Sequence, residues 1–219
     1  MPRPGSIRAR IGAAFLALAC APLAAEASFL VTATTSAGNQ DDFAGIGFKF
    51  HVSSAITISR LGVFDSGADG IAGATTLWAT LFDSFGNVIV ASGFTNSDPG
   101  TLDSFFRYKA IAPITLGAGD YVLAGYGWDP SNREYNNFIV DGLNTTTFNA
   151  NPLVTFVDTR FGPPIASTAH TIAPTNVFPL HSFNSVNMDF LAAVPEPATL
   201  ALVASALGFV GRGRRQRRV

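Results

Sequence analysis

The chain has 219 residues and a formal net charge of −1, a balance that hides an uneven distribution. Three of the 14 Lys and Arg lie in residues 1–27 and five in 194–219, leaving six basic against 13 acidic residues between them, a net of −7. So acidic a middle repels phosphate backbones, which disfavours nucleic acid, and no nucleic-acid partner is expected.

The first 27 residues open with Arg3, Arg8 and Arg10, continue through an apolar run over 11–25 that is expected to form a signal helix, and end in Ala25-Glu26-Ala27. A basic start, an apolar core shorter than a bilayer span and a small-x-small site make a secretory signal peptide, with Ala25 and Ala27 as the residues a signal peptidase reads. The expected mature chain begins at Ser28. The single cysteine, Cys20, belongs to the removed segment, so no disulfide framework is available and stability must come from packing.

Residues 28–193 are long enough for one domain with a real core. They are rich in Gly, Phe and β-branched residues and poor in Lys and Glu, which favours strands over helices. A first strand is expected over 29–34. The second, over 43–52, alternates Ile46, Phe48 and Phe50 against Lys49. The third, over 56–64, begins with Ile56 and Ile58 and shifts phase to Leu61 and Val63, which predicts a bulge near Arg60. Runs 77–82 and 88–94 flank Asp83-Ser84-Phe85-Gly86-Asn87 as a β-hairpin. Further strands are expected over 105–111, 121–125 and, less strongly patterned, 138–140. The stretch 141–182 reads as long loops with one or two short strands, including 153–157, and Gly162-Pro163-Pro164 cannot lie inside a central strand. A closing strand covers 188–193. Many short strands without a helical period argue for an all-β fold, a single β-sandwich of jelly-roll type.

The last 26 residues form a third unit. Val194-Pro195-Glu196-Pro197 precedes an apolar stretch over 198–210 and then Arg212, Arg214, Arg215, Arg217 and Arg218. The prolines keep Pro195, Glu196 and Pro197 extended. The apolar stretch forms a short helix, and the arginines remain on the cytoplasmic side. The span is shorter than a full bilayer crossing, so the anchoring is provisional.

This order of motif, apolar helix and basic cluster resembles the PEP-CTERM sorting signal of Gram-negative bacteria. The resemblance implies a partner, an exosortase-like membrane enzyme that recognises Pro195-Glu196-Pro197 and removes the tail. It also implies association with exopolysaccharide and the cell surface. The domain ahead of the tail is similar, through Leu61-Gly62-Val63-Phe64-Asp65, Asp69-Gly70, the hairpin and the run from Leu116 to Tyr121, to uncharacterised β-sandwich domains found in front of such tails. That second resemblance implies a fold and no activity.

Candidate chemistry is sparse. Asp65 and Asp69 in Asp65-Ser66-Gly67-Ala68-Asp69-Gly70 could hold Ca²⁺ with backbone carbonyls, or could cap a strand-end turn in which glycine supplies positive φ. Trp128 and Asp129, with Tyr126 and Tyr135 nearby, could stack on and hydrogen-bond a sugar, or Trp128 could belong to the core. The three histidines, at 51, 170 and 181, have no metal-ligand spacing, and no Gly-x-Ser-x-Gly elbow or phosphate-cradling loop occurs. No catalytic residue is therefore named and no cofactor beyond that candidate Ca²⁺. The expectation is an exported protein, held transiently in the inner membrane, trimmed by signal peptidase and exosortase, and delivered to the cell surface or extracellular matrix. There it acts as a non-catalytic binding or structural module; the alternative is an extracellular polysaccharide-active enzyme on the same scaffold.

Overall fold

The computed structural model describes residues 28–32, 37–40, 45–73, 76–128, 134–136, 147–148, 151–162, 170–178, 183 and 185–193. The expected signal and tail helices, the weak strand over 138–140 and Asp129 lie outside these residues. In chain order the strands are β1 (Ser28–Phe29), β2 (Val31–Thr32), β3 (Ile46–Val52), β4 (Ile56–Phe64), β5 (Leu77–Phe82), β6 (Val88–Phe94), β7 (Thr101–Asp103), β8 (Phe106–Leu116), β9 (Gly119–Tyr126), β10 (Thr147–Phe148), β11 (Val154–Phe161), β12 (Asn176–Phe178) and β13 (Val186–Ala192). No helix occurs among the described residues.

Two antiparallel sheets pack as a sandwich. One runs β1-β13-β4-β8-β7, the other β12-β11-β3-β9-β5-β6, and a small pair joins β10 to β2. The chain passes from one large sheet to the other between β3 and β4, β4 and β5, β6 and β7, β8 and β9, and β12 and β13. Each inner face therefore draws on strands distant in sequence.

Alternation decides which residues line that core. On β3, Ile46, Phe48, Phe50 and Val52 are all fully buried, while Lys49 is half-buried and His51 exposed on the other face. Phe48 and Phe50 meet edge to face with centroids 6.3 Å apart, and Phe64 meets Phe106 the same way at 5.7 Å. On β4 the register against β8 shifts between Ile58 and Arg60, and the register of β13 shifts beside it between Asp189 and Phe190. The extra residue lets Ile56, Ile58, Leu61 and Val63 all reach the core despite the change of phase.

Several strands differ in extent from the sequence expectation. The first breaks at Leu30 into β1, which pairs with β13, and β2, which pairs with β10. β8 continues past 111 through Pro113 to Leu116. β7 pairs only with residues 106–108, and Pro113 falls within the register shift of β8 against β4, where residues 111–113 have no partner position in either ladder. β11 is longer than the expected 153–157 and lies between β12 and β3. A bulge between Phe156 and Asp158 interrupts its alternation, and that interruption conceals the strand in the sequence.

Candidate functional site

Asp65 follows β4 and is fully buried. Its Oδ2 accepts hydrogen bonds from Arg107 Nε on β8 at 2.6 Å and from the Gly70 N–H at 3.1 Å. Between them the loop turns through positive φ at Gly67 (94°), Ala68 (59°) and Gly70 (115°), so two of its three left-handed positions carry the residue that adopts them without strain. Asp69 is exposed. Asp65 thus organises the strand-end turn from inside, while Asp69 is exposed on the same loop.

A carboxylate that sequence reasoning did not single out lies beside this loop. Glu134 is 1% exposed, and its Oε1 accepts the Ala72 N–H at 2.6 Å. Burial, aided by the nearby carboxylates of Asp65 and Asp69, pushes its acid up to about 7. The segment carrying it is pinned by the isolated bridge of Gln40 with Asn136. Among the described residues no group of three or more His, Cys, Asp or Glu side chains is placed to hold a metal ion.

Trp128 is not a surface platform. It is fully buried, and its ring lies across Gly125, where a Cβ would also come within 2.6 Å of Val186. Of the two placements expected for Trp128, this is the one in the core: the absence of a side chain at Gly125 lets the indole fold inward. Tyr126 is buried as well, its hydroxyl donating to Ile172 O at 2.6 Å, and burial raises its phenol above the usual range.

Two other arrangements bring polar or aromatic side chains together. Arg60, at the β4 bulge, donates from Nε to Asp189 Oδ2 at 2.6 Å and lies 3.9 Å from Asp103 Oδ2. Its guanidinium sits 4.9 Å from the Tyr108 ring centroid and 5.5 Å from that of Phe29. A cavity of about 90 Å³ adjoins this cluster, lined in part by Phe29, Asp103, Ser104 and Tyr108. Gly62 opposite Tyr108 makes this possible, since a Cβ there would lie 2.7 Å from the phenol ring. The second arrangement is an open cleft of about 470 Å³ lined by Phe148, Asn151, Pro152, Val154, Thr155 and Phe156. Phe148 and Phe156 meet edge to face at 5.6 Å. Its size is that of a small-ligand site, with aromatic rings and a few polar side chains on its wall.

Three further ion-paired groups lie on or beside the strands among the described residues. Asp120 accepts from Lys49 at 2.8 Å and from His51 Nδ1 at 2.7 Å, which holds its carboxyl below the ordinary range. Asp158 pairs with Arg160, and Asp98 with Lys109.

Ala25 and Ala27 lie outside the described residues, as do Pro195, Glu196, Pro197 and the arginines at 212, 214, 215, 217 and 218. The structure does place the point from which the tail departs. β13 ends at Ala192, and the Ala193 N–H donates to Ala55 O at 3.0 Å. No curated protein and no solved structure matches the chain. Residues 193–218 match the family model of the PEP-CTERM protein-sorting motif, beginning where the last strand lets go. The protein carries a PEP-CTERM protein-sorting motif, which implies export through the membrane-associated exosortase system.

Proposed function

We propose that the β-sandwich is a non-catalytic binding or structural module, delivered to the cell surface or extracellular matrix and associated there with exopolysaccharide. The observation that carries this reading is the sorting motif directly behind β13. The signal segment 1–27 directs export, with signal peptidase cutting after Ala27. The tail then holds the protein in the inner membrane until the processing enzyme cuts at Pro195-Glu196-Pro197. In support of binding rather than bond cleavage, Asp65, Asp98, Asp120, Asp158 and Asp189 all hold cationic side chains. The cleft beside β11 offers the aromatic faces of Phe148 and Phe156 to apolar sugar faces, with Asn151 and Thr155 to hydrogen-bond hydroxyls.

Two measurements test the reading. Intact mass of the exported form in its native host is expected to give a chain starting at Ser28 and ending at 195–197; an uncut chain refutes processing. A glycan array read for both binding and cleavage is expected to show binding that Phe156→Ala weakens. Cleavage of any glycan would favour the enzyme reading instead.

A further inference from the structure

Three segments distant in sequence meet beside the 65–72 loop. The Gly38 N–H donates to Ser66 Oγ at 3.1 Å, joining residues 37–40 to that loop. Gln40 and Asn136 exchange backbone hydrogen bonds at 2.8 and 3.2 Å, joining the same residues to 134–136. Glu134 returns to the loop through Ala72. Each segment contributes a buried oxygen without a hydrogen-bond partner: Gln40 Oε1, Asp65 Oδ1 and Glu134 Oε2. Asp65 and Glu134 are 0% and 1% exposed; the other oxygen of Asp65 accepts the Gly70 N–H and that of Glu134 the Ala72 N–H, and the Ser66 backbone also acts on the Glu134 carboxyl. No hydrogen bond joins the two carboxylates, so neither satisfies the other.

Buried oxygens left in this state are costly, because each has given up water without replacement. The charge is also unbalanced. The carboxylates of Asp65 and Asp69 both act on Glu134, and Arg107, paired with Asp65, is the one guanidinium among these four groups, leaving a net of −2 when all are ionised. The donors are all hard oxygens, with no His or Cys, which selects an alkaline-earth cation over zinc or copper. The irregular origin of the donors, from two carboxylates and an amide on three segments, suits the flexible coordination of calcium better than the strict octahedron of magnesium.

We propose that Asp65 Oδ1, Glu134 Oε2 and Gln40 Oε1 line a calcium site, completed by backbone carbonyls and water, that ties residues 37–40 and 134–136 to the 65–72 loop. The site is independent of the sorting motif. It differs from a loop site made by Asp65 and Asp69, because Asp69 is exposed and contributes charge rather than a ligand. Calcium acts as a clasp that the three segments share.

The test is thermal melting of the full chain in detergent, stripped with chelator and then supplied with CaCl₂ or MgCl₂, for the wild type, Glu134→Gln and Asp69→Asn. Calcium at about a hundredfold excess over its dissociation constant should raise the wild-type melting temperature by about 5 °C or more. Magnesium should have a smaller effect, Asp69→Asn should keep most of the calcium response, and Glu134→Gln should lose it. No calcium response in the wild type overturns the proposal, as does an equal response in Glu134→Gln, or a response lost in Asp69→Asn alone. Should Glu134→Gln fail to fold, terbium titration of the wild type replaces it. One bound terbium per chain, displaced by calcium, supports the site; absence of binding overturns it.

Discussion

Ser28 lies directly opposite Phe190 in the antiparallel pair of β1 and β13. The residue expected to follow the signal peptide and the strand that leads into the sorting motif are therefore hydrogen-bonded neighbours. The two ends of the sandwich close on each other, and both cuts expected of the export pathway fall just outside this pair. Phe190 is 2% exposed and belongs to the core that the pair covers. Phe190→Ala should cost about 3–5 kcal/mol, read as a lowered urea midpoint with unchanged slope.

Arg107 and Asp65 form the most deeply buried of the ion pairs, with side chains 15% and 0% exposed. Removing one partner of such a pair leaves an uncompensated charge inside the protein. Arg107→Met should destabilise by about 3–5 kcal/mol. Asp98→Ala, which breaks a pair whose carboxylate is 74% exposed, should cost less than about 1 kcal/mol. Urea midpoints of the two variants test the ordering; equal losses would contradict it.

Glu134 gives the domain a pH dependence in chelator-containing buffer. Burial raises its acid from the ordinary 4.5 to about 7, with Asp65 and Asp69 adding repulsion and Arg107 held by Asp65. A carboxyl whose folded pKa is raised stabilises the fold fully below the unfolded value. That contribution is lost as pH rises from about 4.5 through about 7. A shift of this size corresponds to up to about 3 kcal/mol. Urea midpoints at pH 5, 6, 7 and 8 should fall across the series in the wild type, and the slope should flatten in Glu134→Gln.

Gly125 admits Trp128 to the core. A methyl group there would meet both the indole and Val186. Gly125→Ala should destabilise by about 1–3 kcal/mol and change the near-ultraviolet circular dichroism of the tryptophan, as overpacking forces the ring from its place. An unchanged spectrum and midpoint would contradict that packing.

Local patterning carried much of the architecture. Ile46, Phe48 and Phe50 alternate against Lys49 because a strand places successive side chains on opposite faces. The bulge at Arg60 is legible because its neighbours must still reach the core, so the apolar phase slips by one residue. The turn at Asp83 is legible because Asp83 Oδ1 accepts the Phe85 and Asn87 amides of its own loop. The sorting motif is linear, and its chemistry needs only its own residues in order.

The rest depends on residues brought together from afar. Asp65 meets Arg107 across 42 positions, and Glu134 meets Ala72 across 62. Neither encounter leaves a periodic trace, so the sequence could show Asp65 beside Asp69 but not that one is buried and the other exposed. Trp128 next to aspartate and tyrosine has the composition of a sugar platform, and only the fold of β9 around Gly125 turns the indole inward. By itself the sequence determined the sorting motif of this protein and the all-β class, because both are encoded in contiguous patterns. The tertiary structure decided which carboxylates lie inside and which surfaces are open, because burial depends on how strands far apart in the chain are stacked.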